Sequence, residues 1–243
     1  MFDIHCHILP GVDDGSGNLN DSLEMAQLAA ESGTEGIFAT PHCNIPGMFD
    51  NYWNSELNDK LQKLKNALKE KNIPVEIYSG QEIFLSKHFE AHLEKGEFIT
   101  LNNSEYMLVE LDFRIDEATA ISRLGRLASC GCVPIVAHPE RYGFVIENLS
   151  AVKKIHAAGA LIQLNSSSLL GDFGVYIKRT ADIIMQNGLA DFVASDAHSQ
   201  YSRTPNLAYI HEYICGNLSY DYADVLLNIN PLKVINNERI QRG

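Results

Sequence analysis

Short apolar runs alternate with longer amphipathic stretches along this chain, and their order predicts strand and helix in turn. Phe2-Asp3-Ile4 reads as a first strand that runs out into His5 and His7. Asp21-Ser22-Leu23-Glu24 has the spacing of a capping box and predicts a helix ending near Gly33. The second strand is Gly36–Thr40, closed by Pro41 and His42. A loop from Asn44 to Trp53, rich in Gly, Pro, Asn and aromatics, precedes a charged amphipathic helix over Ser55–Lys71. Val75–Ser79 is the third strand, with Gly80-Gln81-Glu82 at its end and a short helix carrying His88 and His92 after it. Further strands are predicted at Tyr106–Leu111, Val133–Ala137, Leu161–Asn165 and Phe192–Ser195, separated by helices over Glu117–Cys130, Ala151–Ala158 and Val175–Asn187. From Pro205 onward the chain reads as helical, with Tyr209, Ile210, Leu226 and Leu227 as packing residues. No linker, low-complexity tract or repeat interrupts the series, so residues 1–243 are read as one domain.

Seven strands alternating with helices imply a parallel sheet, either open and doubly wound or closed into a barrel. An open sheet builds its site mainly at one switch point, whereas a barrel turns every strand's C-terminal end into one mouth. Candidate ligands stand at or near the ends of the first, second, third, fourth, fifth and seventh strands. Only a closed or nearly closed ring brings all of these together, so a barrel is expected.

Composition narrows the class. The hydrophobic fraction of 45% is that of an ordinary globular protein. The chain opens on a strand and candidate ligands rather than a basic, then apolar leader, and no apolar run is long enough to span a bilayer. A cytoplasmic protein that is not membrane-embedded is therefore expected. A net charge of −12 without a basic stripe argues against nucleic acid as a partner. Five cysteines at irregular spacing, with no CxxC pair, give neither a disulfide framework nor a structural zinc site. Cys130-Gly131-Cys132 precedes a strand and reads as a pair of buried thiols.

Of nine histidines, five (His5, His7, His42, His138 and His198) fall just after predicted strands. His5 and His7 are two apart and so point the same way, Asp13 and Asp14 follow in the same loop, and imidazole is the commonest neutral nitrogen ligand. His88, His92, His156 and His211 lie on predicted helices and read as surface or packing residues; the His88–His92 spacing lacks an HExxH context. Glu82, Glu110 and Asp196 end or nearly end apolar strands, where an uncompensated carboxylate is costly. Pairing with Arg or Lys is one way to meet that cost, but with five histidines at the same strand ends a polynuclear metal site is preferred. Mixed carboxylate and imidazole donors suit Mn, Fe or Zn. Clustered metals lower the pKa of a bridging water to about 7 and steady an in-line phosphoryl transfer. Arg141 and Arg203 stand where a phosphate needs guanidinium groups, although Arg141 could instead pair with Glu140 or another carboxylate. The chain has no GxGxxG, Walker or GxSxG motif, and no cysteine followed six residues later by arginine, so none reads as a nucleophile.

HCH near the start, TPH at the second strand, GQE at the third, VEL at the fourth, VAHPERY at the fifth and ASDAH at the seventh resemble the polymerase and histidinol phosphatase (PHP) family. His5–Gly15, Gly80-Gln81-Glu82, the stretches from Ala137 to Tyr142 and from Leu164 to Gly171, and Ser195–Ser199 with Arg203-Thr204-Pro205 narrow the likeness further. They are similar to the metal-dependent protein-tyrosine phosphatases of bacterial capsule and exopolysaccharide operons. The resemblance spans almost the whole chain and implies a distorted (β/α)7 TIM-like barrel with three divalent metals, usually Mn²⁺. It implies His5, His7, Glu82 and Asp196 at a first metal, Glu82 bridging to a second completed by Glu110 and His138, and Asp14, His42 and His198 at a third. Four ligand carboxylates against three divalent ions, −4 and +6, would leave about +2 to attract a phosphomonoester. The expected mechanism is direct attack of a metal-bridging hydroxide on phosphorus, with Arg141 and Arg203 holding phosphate oxygens. The resemblance points to the Tyr-rich tail of a tyrosine-phosphorylated bacterial kinase as substrate, and so to control of polysaccharide synthesis. Cys43 and Phe84 depart from the family pattern, in which a second His and an Arg are common, and this bears on peptide preference. A histidinol-phosphate phosphatase is the nearest alternative and a non-catalytic metal-stabilised interaction domain the other; self-association is left open.

Overall fold

The computed structural model describes residues 1–241. Nine strands follow in chain order: β1 (Phe2–Cys6), β2 (Gly36–Ala39), β3 (His42–Cys43), β4 (Glu76–Ser79), β5 (Glu82–Phe84), β6 (Tyr106–Glu110), β7 (Val133–Ala137), β8 (Leu161–Asn165) and β9 (Phe192–Ala194). They form a parallel sheet β1-β2-β4 and a second parallel sheet β3-β5-β6-β7-β8-β9. β3 continues the line of β2 past Thr40-Pro41, and β5 continues β4 past Gly80-Gln81. Two in-line pairs among nine strands leave seven staves. Beyond β9, the Asp196 N–H bonds to the His5 carbonyl at 2.9 Å and the His7 N–H to the Ala197 carbonyl at 2.9 Å, which links the last stave to the first. This is the distorted barrel expected from the sequence.

Side chains alternate between a barrel interior and an outer layer under the helices. Tyr106 and Leu108, Ile135 and Ala137, Leu161, and Phe192 and Ala194 pack together inside, with Ile4 and Phe38. Met107, Val109, Val136, Ile162, Leu164 and Val193 face the helices. The same alternation carries Glu110, Gln163 and Asn165 to the inner face at the upper end. β1 departs from it: its pairing with β2 slips between Asp3 and Cys6. Ile4 belongs to the inner cluster and Cys6 to an outer one, so the strand changes face across the irregularity. A bulge of this kind re-aims side chains next to a site, and here it delivers His5 and His7 inward.

Several elements differ from expectation. The first helix is Leu19–Glu31, because Asn18, ahead of the predicted box, accepts from the N–H groups of Asn20 and Asp21 and caps it. Glu82, expected to close the third predicted strand, begins a short strand of its own in line with it. Gly143–Glu147 and Ser166–Leu170 are short helices that were not anticipated, the second because serine runs favour turns over helix interiors. In the C-terminal helices Ile210, Leu226 and Leu227 are buried, but Tyr209 is exposed. Cys130 is exposed and Cys132 half-buried, so they are not a buried pair: Cys130 lies at the helix end and Cys132 at the threshold of β7, before the chain enters the sheet. Among the described residues no helix is long and apolar enough to cross a membrane.

Candidate metal centre

The upper mouth of the barrel gathers all nine candidate ligands. His5 and His7 leave β1 with no exposed surface, and their Nε2 atoms lie 3.2 Å apart. Asp196, just beyond β9, places Oδ1 3.3 Å from each of them. Donors about 2.0–2.2 Å from a shared ion sit roughly 3.0–3.5 Å from one another, so these separations are those of a coordination edge. Glu82 lies between the groups, with Oε2 3.3 Å from His5 Nε2, 3.4 Å from His7 Nε2 and 2.8 Å from His42 Nδ1. Its Oε1 is 3.0 Å from His138 Nε2, which is also 3.7 Å from Glu110 Oε1. Asp14 Oδ1, on the open side, is 3.6 Å from His42 Nε2 and 3.5 Å from His198 Nε2. His42 therefore faces two donor groups, one through each ring nitrogen.

Tautomers fit the same picture. His7 donates from Nδ1 to Asp13 at 2.7 Å, and His198 donates from Nδ1 to the Asp196 carbonyl at 3.0 Å. Each Nε2 is left as a lone pair aimed into the mouth. His42 Nδ1, Glu82 Oε2 and His198 Nε2 are buried without hydrogen bonds among the described residues, although opposite groups approach them. Buried polar atoms are ordinarily paired, so converging unpaired donors fit a cation. The donor set, imidazole and carboxylate without thiolate, suits a catalytic ion of the Mn, Fe or Zn kind.

Electrostatics without ions shows the imbalance the site carries. Burial alone would raise the Glu82 pKa, yet the His5 and His42 rings hold it well below the usual range. Burial opposes protonation of His7, but Asp13 and the neighbouring carboxylates push its pKa well up. Glu110 is driven to about 8 by burial and by the Glu82 charge. His138 is lowered to about 4 by burial, and contact with His198 lowers Asp14 to about 2.

Backbone strain coincides with the site. Among the described residues nine non-glycine residues have positive φ: six asparagines together with His138, Asp196 and Arg203; Asn, Asp and His enter this region most readily, which leaves Arg203 the outlier. The loop before the first helix folds back so closely that a Cβ at Gly15 would lie 2.2 Å from the His7 carbonyl oxygen. Only glycine fits there, and it lets Asp13 reach His7.

Arg203 donates from Nη2 to Asp196 Oδ2, and Arg141 Nη1 lies 3.7 Å from the same oxygen. Two guanidinium groups, each partly exposed, thus flank one carboxylate at the mouth. Arg141 is stacked between Phe113 and Phe173, 4.8 and 4.7 Å from their ring centres. Of the carboxylates open to it, Arg141 approaches Asp196 and not Glu140, which is buried and accepts from the Asn165 N–H. The four helical histidines lie elsewhere: His92 pairs with Glu97, His156 with Asp191, His211 touches Cys215, and His88 starts a short helix. Asp13, Gln163, Asn165 and the two phenylalanines are site neighbours that sequence reasoning did not assign. The polar residues two apart in the otherwise apolar β8 were the available signal.

A parallel barrel with imidazoles and carboxylates converging at its C-terminal mouth defines a metal-dependent hydrolase in kind. Residues 1–236 match the family model for capsular polysaccharide synthesis, CpsB/CapC, and the chain belongs to that family. It is 37% identical to the tyrosine-protein phosphatase YwqE of Bacillus subtilis over 203 residues, 84% of this chain and 79% of YwqE. It is 29% identical to the tyrosine-protein phosphatase CpsB of Streptococcus agalactiae over 245 residues, covering 99% of this chain and 100% of CpsB. A crystal structure from work on YwqE of Bacillus subtilis and CpsB of Streptococcus pneumoniae, unique metal-dependent tyrosine phosphatases, superposes with a TM-score of 0.92. That match is at 32% identity and covers 100% of this chain and 97% of the other. Dihydropyrimidinase from Brevibacillus agri, at 11% identity and a TM-score of 0.52 over 97% of this chain and 70% of its own, shares the fold alone.

Proposed function

We propose that this protein is a metal-dependent phosphatase acting on phosphotyrosine in proteins, in the service of capsular or exopolysaccharide synthesis. The observation that carries the reading is the unpaired, converging donor set around Glu82, in a chain that matches tyrosine-protein phosphatases over 79% and 100% of their length. His5, His7, Glu82 and Asp196 would hold one ion, Glu82, Glu110 and His138 a second, and Asp14, His42 and His198 a third, with Mn²⁺ the favoured metal. When bound, the ions supply Lewis acidity toward phosphate oxygens and a water acidic enough to ionise near neutral pH. The chain's own part is orientation and charge. Arg141, held between two aromatic faces, and Arg203, anchored on Asp196, present guanidinium groups to the non-bridging oxygens. The phenol of tyrosine, with a pKa of about 10, leaves more easily than a serine alkoxide, so phosphotyrosine demands less of the site. The proposed substrate is a tyrosine-phosphorylated bacterial kinase, met in the cytoplasm.

The test is hydrolysis of a phosphotyrosine peptide, a phosphoserine peptide and histidinol phosphate by chelator-stripped protein, with and without Mn²⁺. Turnover restored by Mn²⁺ and confined to phosphotyrosine is the expected result. Preference for histidinol phosphate would move the enzyme to small phosphomonoesters, and metal binding without any turnover would overturn the catalytic reading.

A further inference from the structure

We infer that Gln163 and Asn165, on the one stave that offers no candidate ligand, are positioning residues that set the tautomer of His5 and select the free oxygen of Asp196. The inference rests on the metal-site reading above. Both side chains are fully buried on the inner face of β8. His5 Nδ1 lies 2.9 Å from Gln163 Oε1, Gln163 Nε2 lies 2.8 Å from Asn165 Oδ1, and Asn165 Nδ2 lies 2.6 Å from Asp196 Oδ2.

The two ends of an amide are alike in shape, so partners alone decide which way it points. Asp196 Oδ2 already accepts from Arg203, and it requires a second donor from Asn165. Asn165 must therefore offer its amino group there and turn its carbonyl to Gln163. Gln163 must donate to that carbonyl, which leaves its own oxygen for His5. His5 then carries its proton on Nδ1, and its Nε2 lone pair faces His7 and Asp196. At the other end, Oδ2 is used up by two donors, so Oδ1 is the oxygen left facing both imidazoles, 3.3 Å from each. The two amides of β8 thus order Asp196, 31 residues from Asn165 in the chain, and His5, on the opposite side of the closing seam. The backbone N–H of Asn165 is fixed in turn by Glu140 Oε1 at 3.0 Å.

The test is Mn²⁺ titration of chelator-stripped wild type and variants, with free Mn²⁺ read by electron paramagnetic resonance and unfolding of the metal-free proteins followed in parallel. Gln163→Met keeps the volume and removes both hydrogen bonds; one Mn²⁺ site is expected to weaken by roughly 10–100-fold, the loss usual when the group orienting a ligand is removed. Gln163→Glu keeps an acceptor for His5 and is expected to recover part of that loss. Wild-type Mn²⁺ affinity in Gln163→Met, or no recovery in Gln163→Glu, would overturn the relay and leave Gln163 as core filling. If Gln163→Met does not fold, Asn165→Ser carries the test, since it strips one donor from Asp196 and must weaken the same site. A wild type that binds no Mn²⁺ would refute the metal reading itself, a result distinct from any variant's.

Discussion

Replacing Glu82 with Gln changes one oxygen and one charge in a side chain that touches four imidazoles. In the metal-loaded protein the ligand carboxylates fall from four to three, and two ions lose the group proposed to join them. Losing a residue that merely orients a ligand already costs 10–100-fold in affinity, or about 1.4–2.7 kcal/mol. A shared ligand therefore costs at least about 3–5 kcal/mol over two ions, on the same scale. The metal-free protein suffers separately, because Glu82 is the counter-charge that His5 and His42 hold ionised. Removing one partner of a buried pair destabilises by about 3–5 kcal/mol. Elemental analysis after dialysis against defined Mn²⁺, phosphotyrosine-peptide turnover, and thermal unfolding in chelator read the three effects independently. Glu82→Gln is expected to retain fewer ions, to lose turnover by roughly 100-fold or more at limiting Mn²⁺, and to unfold earlier when stripped. Wild-type metal content with turnover within about threefold would refute Glu82 as the hub of the site.

Three further outcomes follow from particular contacts. Arg141→Ala should leave Mn²⁺ content unchanged while kcat/KM for a phosphotyrosine peptide falls by roughly 100–1,000-fold, as when a single charge-stabilising donor is lost; lost metal would mean that Arg141 is structural. Tyr142→Phe removes a hydroxyl that accepts from the Leu111 N–H at 3.0 Å and donates to the Ala137 carbonyl at 2.9 Å. Two buried groups are left unpaired, and urea denaturation should show a loss of about 1–3 kcal/mol. Glu110, at about 8 without metal, is mostly protonated at neutral pH and must ionise to serve as a ligand. The stripped form thus binds more protons than the loaded form, so Mn²⁺ binding should release protons and tighten as pH rises toward 8, with the raised His5, His7 and His42 adding to the slope. Calorimetry in buffers of different ionisation enthalpy checks this, and no proton release at pH 7 would count against it.

The staves, and the strand ends whose candidate ligands converge at the mouth, were legible because both periodicity and chemistry are local. An apolar run of strand length ending in His or Asp can be read one segment at a time, as Val133–Ala137 before His138 shows. What stayed hidden depends on distant partners. Asp13 and Asp14 are adjacent and alike in sequence, yet one turns inward to hydrogen-bond His7 while the other stays at the open mouth, a division made by the backbone bend at Gly15. Gln163 and Asn165 broke the apolar pattern of β8, but their meaning lies in His5 and Asp196, on other staves. Phe113 and Phe173 flank Arg141 from loops whose approach no local pattern encodes. The slip in β1 that turns the histidines inward leaves no mark in residue type.

Strain and unbalanced charge at one place are expected to make the metal-free protein the less stable form. His138, Asp196 and Arg203 sit at positive φ, a conformation that costs on the order of 1–3 kcal/mol for a non-glycine residue, least for Asp and His and most for Arg203. Each flanks or joins the ligand cluster, so the cost buys direction: it aims an imidazole, a carboxylate and a guanidinium at a common point. Packed imidazoles and carboxylates that lack an ion either hold protons at odds with their neighbours or stay unpaired. An ion that binds only the folded chain adds about 2.7 kcal/mol per site at a concentration of 100 times Kd. In a chain of this length 1 kcal/mol moves Tm by about 2–4 °C, so a single filled site should raise it by roughly 5–11 °C. Scans of stripped protein with and without Mn²⁺ measure the shift, and it should grow with Mn²⁺ concentration. An unchanged Tm with Mn²⁺ demonstrably bound would mean that the ions do not favour the folded state, and that the strained residues are held by the barrel alone.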